Sequence, residues 1–150
     1  MWRRSAYSLK KFREYIILTA ETLGIDHLGL TVRDLDKTVS FFVDCLGWNE
    51  VGGKPEYPSK FISDGSSVLT LWQVHNDNPA HFDRRQSIGL HHLALKIESE
   101  EKLKQLFEKI ENWPDIEVEC SPEYSGKGPK VHFFVAEPGG LRLEFAYDPR

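Results

Sequence analysis

The sequence lacks the hallmarks of several protein classes. Its 150 residues include only two cysteines, and no apolar run approaches the roughly 18–20 residues that a membrane span needs. Nineteen lysines and arginines are outnumbered by 23 aspartates and glutamates, and they form no basic stripe, which argues against nucleic-acid binding. Cys45 and Cys120 lie far apart, so we expect no disulfide framework and a reducing, cytoplasmic location. No hydrophobic segment follows Arg3 and Arg4, so we predict no secretory signal and no membrane partner.

What remains is the composition of a globular domain, with 40% hydrophobic and 28% charged residues. We predict an N-terminal extension over residues 1–24, in which spaced apolar side chains favour a helix. Residues 25–150 are predicted to form a single domain of two modules, residues 25–75 and 89–148. The polar segment between them, about 76–87, is interpreted as a solvated connection.

The two modules are predicted from an internal repeat. His27 and His92 each stand in the pattern apolar-x-His-Leu-small-Leu-x-apolar, 65 residues apart. Alternation of period two makes each segment a strand. Each strand is followed by a helical pattern, the first over 34–46 with Asp34 as cap and the second over 99–110 with Ser99 as cap, and then by three further strand candidates. These predicted strands are 48–52, 60–64 and 68–74 in the first module and 116–120, 131–136 and 141–147 in the second.

Alternation along the predicted strands brings polar side chains together. The leucine-rich face of each repeat strand is expected to pack under the helices, so that His27 and His92 point to the opposite side. On the last strand, Glu144 points away from the core with the histidines. A buried carboxylate needs a partner, and two histidines with one carboxylate form a set that binds Fe(II), Mn(II), Ni(II) or Zn(II). We therefore predict His27, His92 and Glu144 as metal ligands, and we place His91 on the Leu93 side, as a structural residue or a support for a ligand.

Other side chains are candidates for catalysis and substrate binding, and alternation places His132 on the same inward face as Glu144. His132 is the first candidate for a general acid or base, and Tyr124 is a weaker one. Thr70 and Trp72 are candidates for lining the substrate site, the latter as an apolar wall. Lys96 and Arg142 are candidates for binding an anionic substrate group; the alternative for both is a salt bridge to a carboxylate.

Three motifs together resemble the vicinal oxygen chelate superfamily, also called the glyoxalase/bleomycin-resistance/dioxygenase superfamily. They are the segments 25–28 with 34–35, 89–94 and 137–144. The resemblance implies an α+β fold in which two tandem βαβββ modules form a curled, open-barrel mixed sheet with the helices outside. It places the metal positions on His27, His92 and Glu144, and it implies a homodimer and a small-molecule substrate.

The sequence departs from individual families within this superfamily. The fourth metal position falls on Thr70, where lactoylglutathione lyases usually carry Glu or Gln, and Gln73 nearby has the opposite parity. Extradiol dioxygenases usually have a tyrosine at the position of Phe134, and fosfomycin-type thiol transferases usually have a threonine at Gly29. We favour a metal-dependent, glyoxalase-like lyase or isomerase, with a thiol cosubstrate as an option. The alternatives are an Fe(II) extradiol-type dioxygenase and a metal-free, ligand-sequestering protein of the bleomycin-resistance type.

Overall fold

A computed structural model describes residues 21–150 of the chain. The predicted N-terminal helix falls on residues outside this range, except for its last four, which are not helical. Within residues 21–150, no helix is both long and apolar enough to cross a membrane.

The first module has the predicted βαβββ order. Its sheet has the strand order β1-β4-β3-β2, in which β1 is parallel to β4 and the other pairs are antiparallel. A short helix, α1, follows β1 and continues into a π-helical turn over Phe41–Cys45. The elements are β1 (Leu28–Val32), α1 (Leu35–Ser40), β2 (Asn49–Lys54), β3 (Ser59–Ser63) and β4 (Val68–Gln73).

The second module repeats this topology. Its sheet has the order β5-β8-β7-β6, again with one parallel pair, β5 with β8. The prediction of tandem βαβββ modules is therefore confirmed, and β1 and β5 each form a sheet edge. The elements are β5 (Leu93–Lys96), α2 (Glu100–Ile110), β6 (Glu117–Tyr124), β7 (Val131–Ala136) and β8 (Arg142–Tyr147).

Both helices begin where the sequence predicts. The Asp34 side chain accepts a hydrogen bond from the Lys37 amide, and the Ser99 side chain accepts one from the Lys102 amide. The single α-helix predicted over 34–46 is wrong in its second half, because the π-helical turn widens it. This turn shifts the buried face, so that the consecutive Phe41 and Phe42 are both fully buried.

Strand β6 runs four residues beyond its predicted end at Cys120. Ser121 and Pro122 are typical of a turn, yet both lie within the strand. The pairing register of β6 with β7 shifts between Cys120 and Glu123, and β6 is the outer strand of its sheet. Proline is tolerated there because an edge strand with a bulge needs no hydrogen bond from that residue.

The turn before β8 joins the two modules. The amide of Arg33, just after β1, donates a hydrogen bond to the carbonyl of Gly139. A Cβ on Gly139 would lie 2.0 Å from the Thr38 hydroxyl of α1, so only glycine fits against this helix. Glu137 of the same turn is 2% exposed and accepts a hydrogen bond from the Leu141 amide. Burial raises the pKa of Glu137, and the amide hydrogen bonds only partly offset that effect.

Candidate functional site

A buried carboxylate on β8 is the centre of the candidate site. Glu144 is 4% exposed, and its neighbours Leu143 and Phe145 point into the core on the other side of the sheet. The Lys130 Nζ donates a hydrogen bond of 2.6 Å to Glu144 Oε1, and His132 Nδ1 lies 2.8 Å from the same oxygen. His92 Nε2 lies 3.1 Å from Glu144 Oε2. Each oxygen of this carboxylate therefore has at least one nitrogen partner.

The strand register explains why these groups meet. Glu144 is paired with Ala94 on β5, and His132 is paired with Ala146 on β8. Paired residues point to the same side of a sheet, and both alanines are small enough to leave space for the larger groups. The predicted placement of His132 beside Glu144 is confirmed. Lys130, which shares the parity of His132, is an additional partner that was not assigned a role from the sequence.

The charges around Glu144 favour its ionised form. Burial by itself would raise the pKa of this carboxyl group. Hydrogen bonds and positive charge from Lys130, followed by those from His132, outweigh burial and leave the pKa of Glu144 below its ordinary value.

His91 and His92 lie immediately before β5. The His91 Nδ1 lies 2.8 Å from His92 Nδ1, and the two rings meet edge to face. Because the strand begins only at Leu93, alternation does not carry His91 to the Leu93 side; that placement was wrong, and its ring lies against His92. Desolvation lowers the pKa of His91, and the positive charge of Arg142 adds to the effect.

The third predicted metal ligand is not part of this cluster. His27 lies just before β1, is exposed, and its Nδ1 is 2.7 Å from the Asp26 carboxylate. Among residues 21–150, no three histidine, cysteine, aspartate or glutamate side chains converge in a way that would hold a metal ion. His92 Nε2 and Glu144 Oε2 can serve as two donors, because their 3.1 Å separation lies between the distances of about 3.0 and about 3.4 Å for neighbouring atoms bound at about 2.1 Å in octahedral and tetrahedral geometry. A complete set of three needs His27 as well.

The corresponding face of the first module is aromatic. Thr70 is buried, and the Trp72 indole donates a hydrogen bond of 3.0 Å to its hydroxyl. The Trp72 ring also packs near Tyr57, at a centroid distance of 4.9 Å, and near Phe61, at 6.0 Å. A Cβ on Gly29 would lie 3.3 Å from the Thr70 hydroxyl, so a small residue suits this position. We call Tyr57, Phe61 and Trp72 the aromatic wall.

The remaining candidates lie apart from Glu144 or are bonded elsewhere. Arg142 forms two hydrogen bonds with Glu119, at 2.6 and 2.7 Å, and stacks over Phe134. This is the salt-bridge alternative considered for Arg142, and the bonds to Glu119 raise its pKa. The pairing register of β6 shifts next to Glu119, so strand alternation in the sequence does not predict that Glu119 lies beside Arg142. Lys96 is exposed, on the face of β5 that Ala94 shares with Glu144.

Tyr124 and Gln73 also have clear positions. Tyr124 is 64% exposed and is paired with Val131, so it points to the opposite side of the sheet from His132. The Gln73 amide accepts a hydrogen bond from the Leu35 amide and donates one to the Arg33 carbonyl. Gln73 therefore fastens the start of α1, which explains its presence without a role at the metal position.

Comparison with known proteins agrees with this architecture. A model of the Glyoxalase/Bleomycin resistance protein/Dioxygenase superfamily matches residues 24–145. The chain belongs to this superfamily. A "Probable lactoylglutathione lyase" from Synechocystis is 30% identical over 125 residues, covering 79% of this chain and 90% of that protein. "Fosfomycin resistance protein FosX" from Listeria monocytogenes is 26% identical over 115 residues, covering 74% and 80%.

Solved structures of the superfamily share the fold. The glyoxalase family protein from Enterococcus faecalis is 26% identical, with a TM-score of 0.66 over 85% of this chain and 99% of that one. The crystal structure of FosX from Listeria monocytogenes has a TM-score of 0.65 at 17% identity. The α+β fold of paired βαβββ modules is therefore established for this glyoxalase-superfamily chain.

Proposed function

We propose that this protein is a metal-dependent, glyoxalase-like lyase or isomerase that acts on a small oxygenated molecule. The observation that carries the proposal is the ionised, buried Glu144, with His92 on one oxygen and His132 on the other. His92, Glu144 and His27 would hold the metal ion. When bound, a divalent ion would act as a Lewis acid that stabilises negative charge developing on a substrate oxygen.

The residues around Glu144 supply the proton chemistry of this proposal. His132 Nδ1 faces the carboxylate, which orients the ring and leaves Nε2 to take or give a proton. An imidazole held by a carboxylate is a common arrangement for a general acid or base. Lys130 balances the charge of Glu144. The named lactoylglutathione lyase among the relatives supports a lyase, and a thiol adduct of a ketoaldehyde is the substrate class to test first.

A metal and activity assay tests this function. Protein purified without chelators should contain one divalent ion per chain, and His92→Ala should lose it. Loaded wild type should convert a thiol adduct of a ketoaldehyde, and His132→Ala should keep its metal but lose most of its turnover. A protein that takes up none of Fe(II), Ni(II), Zn(II) and Mn(II) would refute the proposal. Iron-dependent cleavage of catechols would support the dioxygenase alternative, against which Phe134 already argues.

We further propose that the site is completed in a homodimer, with His27 supplied by a second copy. Leu23, Ile25 and Ile88 are exposed apolar residues on the segments that lead into the edge strands β1 and β5. A mixture of His27→Ala and Glu144→Ala chains tests this arrangement. If each site combines residues from two chains, a mixed dimer regains one intact site and therefore activity. If all ligands come from one chain, mixing restores nothing.

Sequestration of a ligand is the second candidate function, and the aromatic wall favours it. Tyr57, Phe61 and Trp72 give the first module an apolar surface suited to an organic ligand. Ligand binding that is unchanged by His92→Ala but lost in Trp72→Ala would support this alternative.

The cytoplasmic location stays a prediction, with which the free thiols of Cys45 and Cys120 are consistent. Cell fractionation tests it.

A further inference from the structure

Two arginines share one carboxylate on β6. Glu119 Oε2 accepts a hydrogen bond of 2.6 Å from Arg142 Nε, and Glu119 Oε1 accepts one of 2.7 Å from Arg142 Nη2. The same Oε1 accepts a third hydrogen bond, of 3.0 Å, from Arg84 Nη2 on the segment between the modules. Guanidinium groups recognise carboxylates through such paired hydrogen bonds. We call Arg84 and Arg142 the arginine pair; together with Glu119 it has an excess of one positive charge.

Glu119 does not satisfy Arg142 completely. Nη1 of Arg142 is buried, and among residues 21–150 it has no hydrogen-bond partner. Buried donors are rarely left unpaired, because an unpaired one has a cost in free energy. The excess charge also reaches His91: desolvation lowers the pKa of this histidine, and the positive charges of Arg142 and Arg84 lower it further, against a smaller opposing effect of Glu119. The surroundings of Arg142 therefore favour additional negative charge.

The arginine pair lies beside the candidate site. Arg142 and Glu144 are two residues apart on β8, so they point to the same side of the sheet with their Cα atoms about 6.5 Å apart. The Arg142 guanidinium lies 3.9 Å from the centre of the Phe134 ring. That ring is in turn 5.2 Å from the His132 ring and 5.5 Å from the His92 ring. A charged group bound at Arg142 would therefore place the rest of a small molecule over Phe134, next to His132.

We infer that the arginine pair is a binding site for a carboxylate group of the substrate, and that Glu119 occupies this site until the substrate displaces it. One carboxylate replaces another, so both guanidinium groups keep an acceptor. The Glu119 side chain is 38% exposed and can turn into solvent, whereas the Arg142 side chain is 17% exposed and is held over Phe134. The role in substrate binding rests on the proposed function, but carboxylate binding itself needs no metal ion.

Titration with succinate tests this site, and the neutral succinamide is the control ligand. Each protein is first treated with a chelator and is then followed by nitrogen-15 NMR of the backbone amides and of the arginine Nε–H groups. Arg142→Gln and Arg84→Gln each remove one guanidinium group, and Glu119→Gln removes the resident negative charge. Asp148→Asn is the matched control, because Asp148 accepts hydrogen bonds of 2.9 and 2.7 Å from a single arginine, Arg150.

We expect wild type to bind succinate but not succinamide, with shifts in the signals of Arg84, Arg142 and the nearby His132. Glu119→Gln should bind succinate about 1.5–5-fold more tightly, the range for loss of a partly exposed ion pair, and Asp148→Asn should match wild type. Arg142→Gln should bind it at least about tenfold more weakly, as expected for lost hydrogen bonds between charged groups. Arg84→Gln should lose less affinity, because Arg84 donates only one of the three bonds.

Three results would overturn the inference. They are no succinate binding in either wild type or Glu119→Gln, equal tightening in Glu119→Gln and Asp148→Asn, and wild-type affinity in an Arg142→Gln variant whose amide spectrum shows that it is folded. Succinate binding by a protein that takes up no divalent ion would support the carboxylate site while refuting the proposed function. Metal-dependent turnover without any succinate binding would do the opposite.

Discussion

The two modules share a topology but differ at the positions that face the candidate site. In the first module β1 pairs Gly29 with Thr70, and in the second β5 pairs Ala94 with Glu144. Glycine 29 and Ala94 occupy the same place in the repeat, so Thr70 is the structural counterpart of Glu144. Both side chains are buried, but only one of them can carry charge.

The surroundings of the two positions differ accordingly. Thr70 receives its hydrogen bond from the indole of Trp72, the residue two further along β4. The counterpart of Trp72 on β8 is Ala146, which is paired with His132. A small residue there leaves space for His132 and Lys130 to reach Glu144. The same position of the fold is therefore used differently in the two modules. The large Trp72, two residues after Thr70, gives an aromatic face, whereas the small Ala146, two residues after Glu144, leaves room for charged groups.

Glu144→Gln should have the largest effect, because it removes the charged group that distinguishes the second module from the first. It removes the charge that holds Lys130, His132 and His92, and it leaves the Lys130 ammonium without its carboxylate partner. We expect metal binding to be lost. The free energy of unfolding should fall by about 1.5–3 kcal/mol, which is typical of lost hydrogen bonds to charged groups. Urea denaturation and metal titration measure both effects. Adding Lys130→Met should recover part of the stability but no metal binding; full stability in the single variant would contradict the account.

Gly139→Ala should loosen the contact between the modules. The added methyl would lie 2.0 Å from the Thr38 hydroxyl and 2.8 Å from Glu137 Oε1. Overpacking of this kind typically costs about 1–3 kcal/mol. Thermal denaturation measures the loss. Gly128→Ala is the matched control, because the nearest atom to its new methyl is 3.7 Å away, and an equal loss in both variants would refute the steric argument.

Glu137→Gln should change how stability depends on pH. Because burial raises the pKa of folded Glu137, the folded state binds a proton more tightly than the unfolded state. The contribution of this group is fully present below its unfolded pKa and is lost as pH rises through the raised folded pKa. Each unit by which the folded pKa exceeds the unfolded pKa corresponds to about 1.4 kcal/mol in the free energy of unfolding.

The stability of Glu137→Gln should therefore fall less than that of wild type over this range of pH. Urea denaturation at several pH values gives the comparison. The control is the equivalent substitution Asp64→Asn in the turn before β4. Asp64 is exposed and accepts hydrogen bonds from the Ser66 and Ser67 amides. A pH profile identical in wild type and Glu137→Gln would show that this carboxyl group is not the cause.

Trp72→Leu should have the smallest effect. It removes the hydrogen bond to Thr70 and the contacts with Tyr57 and Phe61. Aromatic pairs are worth about 0.5–1.5 kcal/mol beyond their buried area, so thermal stability should fall modestly while zinc affinity stays unchanged. Ligand affinity should fall if the wall contacts the substrate. A loss of zinc affinity as large as that of Glu144→Gln would remove the distinction between the modules.

The sequence predicts those parts of the site that lie on regular strands. Residues 132 and 144 belong to β7 and β8, which pair without a bulge, so alternation correctly brings His132 to Glu144. The same rule fails for His91, because β5 begins two residues later. Lys130 has the parity of His132, yet nothing in its residue type distinguishes a partner of Glu144 from a solvated lysine.

Features that depend on contacts between distant segments are less predictable. The bonds from Arg142 to Glu119 follow from register shifts in β6, which leave no clear pattern in the sequence. The π-helical turn in the first module gives consecutive buried phenylalanines, where regular helical periodicity expects one face. Whether His27 lies beside Glu144 depends on what packs against the edge strands β1 and β5. Local sequence patterns do not predict such contacts.

The stoichiometry of metal binding tests the central claim most directly. Wild type, Thr70→Val and Glu144→Gln would be titrated with Zn(II) after treatment with a chelator. If only the second module provides the charged centre, wild type and Thr70→Val bind one ion per chain and Glu144→Gln binds none. Two ions per chain, or binding that survives in Glu144→Gln and disappears in Thr70→Val, would contradict the account.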